Sequence, residues 1–119
     1  MAKKHILIVD DQQGIRRLLV EMLGRDKYAV LEAGSGDEAL EILTQQQVDL
    51  VFLDVKMPQL DGVMTLKQIV EMQGAPPVII MTAQAQADLD KRVMGMGAAA
   101  YLKKPFDINI VLQLVEELT

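Results

Sequence analysis

The chain has 119 residues, half of them apolar, with 24% charged residues and a formal net charge of -5. That length and apolar share suit one domain able to bury a core without staples, while the acidic balance repels phosphate backbones and anionic headgroups and so excludes nucleic-acid or membrane binding through bulk electrostatics. The absence of cysteine removes disulfides and thiolate metal sites, leaves only oxygen-rich chemistry for any metal, and fits a reducing compartment.

The opening Met1 to Lys4 runs directly into Ile6-Leu7-Ile8-Val9, which is too short for a signal-peptide core or a membrane span, so a cytoplasmic protein is expected. This apolar run reads as a strand buried on both faces. Ile15, Leu18, Leu19, Met22 and Leu23 then follow the i, i+3, i+4, i+7 spacing of a helix face. Ala29 to Ala33 is a weaker strand suited to a flanking position. Ser35 with Glu38 resembles a capping box opening a helix through Ala39, Leu40 and Leu43. Leu50-Val51-Phe52-Leu53 is a second buried run, followed by an Asp61-Gly62 turn and a helix over Met64 to Met72. Val78-Ile79-Ile80-Met81 is the third buried run. The next helix, Ala85 to Met94, is weakly patterned, and Gly95 and Gly97 predict its early end. Ala99 to Leu102 forms a last strand, and Asp107 caps a final helix bearing Val111, Leu114, Val115 and Leu118 on one face.

Alternation of strand and helix predicts an α/β doubly wound fold, with five parallel strands, right-handed crossovers and helices on both faces. In such folds ligands bind at the carboxyl ends of the strands. Asp10 and Asp11 end the first strand, Asp54 the third and Thr82 the fourth, and Lys104 follows the fifth. These five should converge on one edge.

Three carboxylates in one crevice resist joint ionisation unless a divalent cation neutralises them. Magnesium accepts one or two carboxylates beside phosphate oxygens and water, which leaves one carboxylate to react. Asp54 is the candidate, since a strand end aims its side chain into the crevice and carboxylate nucleophiles form aspartyl-phosphates. Lys104 and the Thr82 hydroxyl can neutralise the equatorial oxygens of a transferring phosphoryl group. Lys104 precedes Pro105, and a cis bond is expected there. The loop after Asp54, with Pro58, puts the Lys56 carbonyl forward as a further metal ligand.

Taken singly, each residue also has a plain structural reading: Asp10 and Asp11 as a solvated loop, Asp54 as a helix cap, Thr82 as a turn hydroxyl and Lys104 as an exposed lysine. Their shared placement at strand ends favours a site. His5, at the opposite end of the first strand, reads as a surface residue rather than a phosphocarrier. Tyr101 fits a half-buried core aromatic, and the eight methionines fit gap-fillers.

ILIVDDQ at Ile6 to Gln12, VDLVFLDVK at Val48 to Lys56 with Pro58 and Asp61-Gly62, VIIMTA at Val78 to Ala83, and Lys104-Pro105-Phe106 together resemble the receiver domains of two-component response regulators, in order and spacing along essentially the whole chain. GIRRLL at Gly14 to Leu19 and KPFDI at Lys104 to Ile108 further resemble the stand-alone sporulation phosphorelay regulators of spore-forming bacteria. The resemblance implies a flavodoxin-like receiver fold of strand order 2-1-3-4-5 with five helices. It also implies that Asp54 accepts a phosphoryl group from a histidine, that Asp10, Asp11, Asp54 and the Lys56 carbonyl hold Mg2+, for which Mn2+ or Ca2+ could substitute in vitro, and that Thr82 and Lys104 contact the phosphoryl oxygens. Thr82 and Tyr101 become switch residues, and Lys56 and Gln84 tune the acyl-phosphate lifetime. A sensor histidine kinase and a histidine phosphotransferase are the implied partners, docking over Gln13, Gly14, Ile15, Leu18, Pro105, Phe106 and Asp107. A monomer that can dimerise on phosphorylation is expected.

The last helix reaches the end of the given chain, so a single receiver domain over residues 1–119 without an output domain is the expectation, acting as a phosphoryl carrier rather than an enzyme. Competing readings are a receiver fragment of a longer DNA-binding regulator, a Mg-dependent aspartyl-phosphate phosphatase, and a flavin carrier of the same topology. The phosphatase reading lacks an acid/base aspartate two residues after the nucleophile, where Lys56 stands. The flavin reading lacks phosphate donors in the acidic first loop.

Overall fold

A computed structural model describes residues 3–24, 26–55, 61–83 and 88–119, with Asp61 by its backbone alone. Five strands and five helices alternate: β1 Lys4–Val9, α1 Gln13–Leu23, β2 Tyr28–Ala33, α2 Gly36–Gln45, β3 Leu50–Asp54, α3 Asp61–Val70, β4 Val78–Thr82, α4 Leu89–Gly95, β5 Ala100–Lys103 and α5 Ile108–Leu118. The strands form one parallel sheet in the order β2-β1-β3-β4-β5, the doubly wound arrangement expected from the alternation. The Lys104–Pro105 peptide is cis, as anticipated.

The all-apolar strand runs are explained by helices on both faces. Because side chains alternate along a strand, Leu7, Val9, Val51, Leu53 and Ile80 join one buried cluster with residues of α2, α3 and α4. Ile6, Ile8, Leu50, Phe52, Ile79 and Met81 join a second with α1 and α5. Burying a side chain of this size contributes about 1.5–3 kcal/mol each, so the sheet interior carries most of the fold's stability.

Helix boundaries follow their polar signals. Ser35 Oγ accepts from the Glu38 amide at 3.1 Å and caps α2. The Glu38 carboxylate reaches past Ser35 and accepts from the Gly34 amide at 3.2 Å, one residue upstream of the reciprocal bond of an ordinary capping box. Asp107 Oδ1 accepts from the Asn109 amide at 2.8 Å and caps α5.

Several expectations need correction. Asp61 and Gly62 form the first residues of α3 rather than a turn, so this helix starts before Met64 and ends at Val70. A side chain at position 62 would lie 2.8 Å from the Asp54 carbonyl and 2.9 Å from Val55 Cα; glycine lets α3 begin against the end of β3. The buried stripe of α1 is Leu19, Val20 and Leu23, with Ile15 and Met22 half-buried, and Leu18 turns outward at 39% exposure. The expected stripe therefore holds at Ile15, Leu19, Met22 and Leu23, and the structure replaces Leu18 with Val20. Met81 is a core residue, but Met64 and Met94 are exposed and fill no gap. Lys56, Pro58 and Gln84 lie outside the described residues, as do residues 85–87 at the start of the helix expected from Ala85; its described part ends at Gly95, where the glycines predicted. No helix of the described residues is long and apolar enough to cross a membrane.

Candidate functional site

The strand alternation that divides the core also divides the carboxyl edge of the sheet. Continuing Ile6 and Ile8 leads to Asp10; continuing Leu50 and Phe52 leads to Asp54; continuing from Leu102 leads to Lys104. These three groups therefore emerge on one side, and they meet. Lys104 Nζ donates to Asp10 Oδ2 at 2.7 Å and to Asp54 Oδ1 at 3.1 Å. The side chains of Asp10, Asp54 and Lys104 are only 0%, 6% and 11% exposed, so the contacts are shielded from water and charge-assisted.

Asp11 completes the cluster: Asp10, Asp11 and Asp54 each offer a carboxylate oxygen, all within 4.8 Å of one another. The Lys104 ammonium is shared by two of these carboxylates, Asp10 and Asp54. Burial holds the Asp54 carboxyl above its ordinary value of 3.8; the hydrogen bond from Lys104 opposes this, and the Asp10 carboxylate adds to the rise. The residual negative charge and all-oxygen donor set fit a hard divalent cation such as Mg2+.

Asp10 is held from several sides. Its amide donates to the Ala33 carbonyl at 3.1 Å, its Oδ1 accepts from the Gln12 amide at 2.9 Å, and its carbonyl accepts from Arg16 Nη1 at 2.6 Å. A cavity of about 220 Å³ opens beside the carboxylates, floored by Val9 and Leu53 and walled by Gly34, Ser35, Gly36, Gly62 and the buried Thr65. A side chain at Gly36 would collide with the Thr65 hydroxyl, so glycine is what lets α2 start against α3.

Thr82 and Tyr101 belong to the other side of the edge. Thr82 ends β4 fully buried, and its carbonyl accepts from the Lys104 amide at 2.8 Å. Tyr101, half-buried on β5, has its phenol pushed up by burial first and by the Asp90 carboxylate next, with a hydrogen bond to the Thr82 side chain acting in the opposite direction. The two hydroxyl residues are thus coupled to each other, next to the ion cluster.

Of the anticipated docking residues, Gln13, Gly14, Leu18, Pro105 and Asp107 are exposed, while Ile15 and Phe106 are half-buried against the core of α1 and α5. His5 sits at the far end of β1, as expected, with its amide donating to Asp49 Oδ2 at 2.7 Å.

Sequence reasoning missed Arg16 and the Ser35–Gly36 wall. Arg16 had a legible signal: with Leu19, Val20 and Leu23 it makes an i, i+3, i+4, i+7 set, and an arginine in a buried stripe requires partners. The cavity wall had none, because glycine and serine before a helix read equally well as an ordinary cap.

A doubly wound domain with an acidic cluster bridged by a lysine at its carboxyl edge defines the class, and the response regulator receiver domain profile matches residues 6–116. The chain belongs to that family. It is 40% identical over 117 residues to Sporulation initiation phosphotransferase F of Bacillus subtilis (strain 168), covering 98% of this chain and 94% of that protein. It is also 40% identical over 114 residues to the transcriptional regulatory protein PdtaR of Mycobacterium tuberculosis, covering 95% of this chain and 55% of that one. Among solved structures, a response regulator from Thermotoga maritima superposes with a TM-score of 0.89 at 25% identity, covering 98% of each chain. The chemotaxis protein CheY4 of Vibrio cholerae superposes with a TM-score of 0.87 at 28% identity, covering 99% of this chain and all of that one.

Proposed function

We propose that this receiver domain is a phosphoryl carrier of a phosphorelay, in which Asp54 takes a phosphoryl group from a phosphohistidine of a sensor kinase and yields it to a histidine phosphotransferase. The observation that carries the reading is the Lys104 ammonium bound to both Asp10 and Asp54 within a cluster of three carboxylates. Such a cluster is costly to a fold and is useful only if further charge enters it. Similarity to Sporulation initiation phosphotransferase F along nearly the full length of both chains supports the relay role.

In transfer, an Asp54 oxygen forms the new P–O bond as the P–N bond of the donor histidine breaks, and the imidazole nitrogen keeps the released electron pair and takes a proton. Lys104 neutralises the phosphoryl oxygens and Asp54 together, and Thr82 supplies a hydroxyl to one of those oxygens, with Tyr101 following it inward. Asp10, Asp11, Asp54 and the Lys56 carbonyl would hold Mg2+, with Mn2+ or Ca2+ as substitutes in vitro. When bound, the ion supplies charge neutralisation for the phosphoryl group. The domain so assists its own phosphorylation and dephosphorylation without being an enzyme for other substrates. The donor docks over Gln13, Gly14, Ile15, Leu18 and Pro105 to Asp107, Lys56 and Gln84 set the acyl-phosphate lifetime, and the protein is a cytoplasmic monomer that can dimerise on phosphorylation.

A second reading, a receiver portion of a longer transcription regulator, is favoured by PdtaR, of which this chain spans 55%. The test of the common core is intact mass after incubation with acetyl phosphate and Mg2+: one phosphoryl group on the wild type and none on Asp54→Ala. Equal labelling of both would reject the assignment.

A further inference from the structure

Arg16 lies on α1 but faces inward, its side chain 18% exposed. Its Nη1 donates to the Asp10 carbonyl at 2.6 Å and its Nε pairs with Glu32 Oε1, at the end of β2, at 3.1 Å. The helix it belongs to has no side-chain cap at Gln12 and no acidic residue in its first turn. Among the bonds that shape the turn from Asp10 to Gln12 are the Gln12 amide to Asp10 Oδ1 at 2.9 Å and Arg16 to the Asp10 carbonyl. The second also ties the turn to β2 through a side chain, because Glu32 anchors the same guanidinium, and it adds to the bond from the Asp10 amide to the Ala33 carbonyl at 3.1 Å. The planar guanidinium meets the two acceptors with separate nitrogens in one fixed geometry, whereas a lysine would have to bring both bonds to a single atom.

We infer that Arg16 is a positioning residue, which fixes the turn after β1 so that Asp10 and Asp11 present their carboxylates to a divalent cation. This rests on the reading of the carboxylate cluster as a Mg2+ site. Groups behind metal ligands commonly control affinity about 10–100-fold by orienting them. The sign of the effect separates orientation from charge. Arg16 is a cation near an acidic cluster, so removing its charge alone would strengthen Mg2+ binding. Loss of orientation weakens it.

Mg2+ titration calorimetry on the whole chain tests this with Arg16→Gln, Arg16→Lys, Glu32→Gln and Asp11→Asn, each variant's folding checked by urea unfolding. The expected result is about tenfold weaker Mg2+ binding by Arg16→Gln, an intermediate loss in Arg16→Lys despite its retained charge, and a smaller loss in Glu32→Gln. Binding as tight as wild type, or tighter, in folded Arg16→Gln overturns the inference, as does Arg16→Lys matching wild type while Arg16→Gln does not. If Arg16→Gln fails to fold, Arg16→Lys and Glu32→Gln decide it: unchanged affinity in both overturns it. Asp11→Asn binding Mg2+ as the wild type does would instead mean that the cation site itself was misassigned, and the inference would fall with it.

Discussion

The two ends of the same sheet handle their polar groups in opposite ways. At the amino end the groups satisfy one another: the His5 amide donates to Asp49 Oδ2 at 2.7 Å while the Asp49 amide donates to the His5 carbonyl at 2.8 Å, and Val51 and Ala99 bond to the Pro77 and Val78 carbonyls. At the carboxyl end three carboxylates lie together, two of them sharing the Lys104 ammonium, and burial keeps the Asp54 carboxyl above its usual range. The amino end is built for stability. The carboxyl end gives up stability to keep charges poised for a ligand, as functional sites commonly do.

Substitutions at the two ends should therefore separate stability from activity. The largest effect is expected at Lys104: with Lys104→Met, phosphoryl uptake from acetyl phosphate, followed by mass, should slow by about 10²–10³-fold, while Mg2+ binding tightens because the competing ammonium is gone. Unchanged uptake would remove Lys104 from the site. Next is the pH dependence of metal-free stability. A carboxyl whose folded value is raised stabilises the fold fully below its ordinary 3.8, and that contribution is lost as pH rises through the higher folded value. Asp54→Asn should thus be more stable than the wild type at neutral pH in urea unfolding without Mg2+, with the gap shrinking in acid and on adding Mg2+. A wild type that gains on the variant as pH rises would contradict the comparison.

The smallest effect is expected at the amino end. Asp49→Ala removes the acceptor for the His5 amide and should lower stability by about 1 kcal/mol, with phosphoryl uptake unchanged. A loss of uptake there would mean that the two ends are coupled.

Most of this contrast was legible in the sequence for a simple reason. Apolar runs buried on both faces stop abruptly at Asp10, Asp54 and Thr82, so strand ends and chemistry coincide, and the alternation rule then decides which side each residue takes. Less legible were features set by helix rotation and helix approach. Leu18 fits the stripe because Leu19, Met22 and Leu23 follow it at helical spacing, yet it lies at the stripe's edge and is exposed, while Val20 at the other edge is buried. The entry of α3 at Asp61 was hidden because Asp-Gly is a strong turn signal, and only contact with the Asp54 carbonyl explains the glycine. The hydrogen bond between Tyr101 and Thr82 depends on side-chain direction across two strands, which spacing alone does not encode.

The central claim is that the carboxylate of Asp54, and no other in the cluster, carries the phosphoryl group. Borohydride reduction of the phosphorylated protein converts an aspartyl-phosphate to homoserine, and peptide mass spectrometry then locates it. The account predicts homoserine at position 54 alone. Homoserine at position 10 or 11, with Asp54 intact, would contradict it.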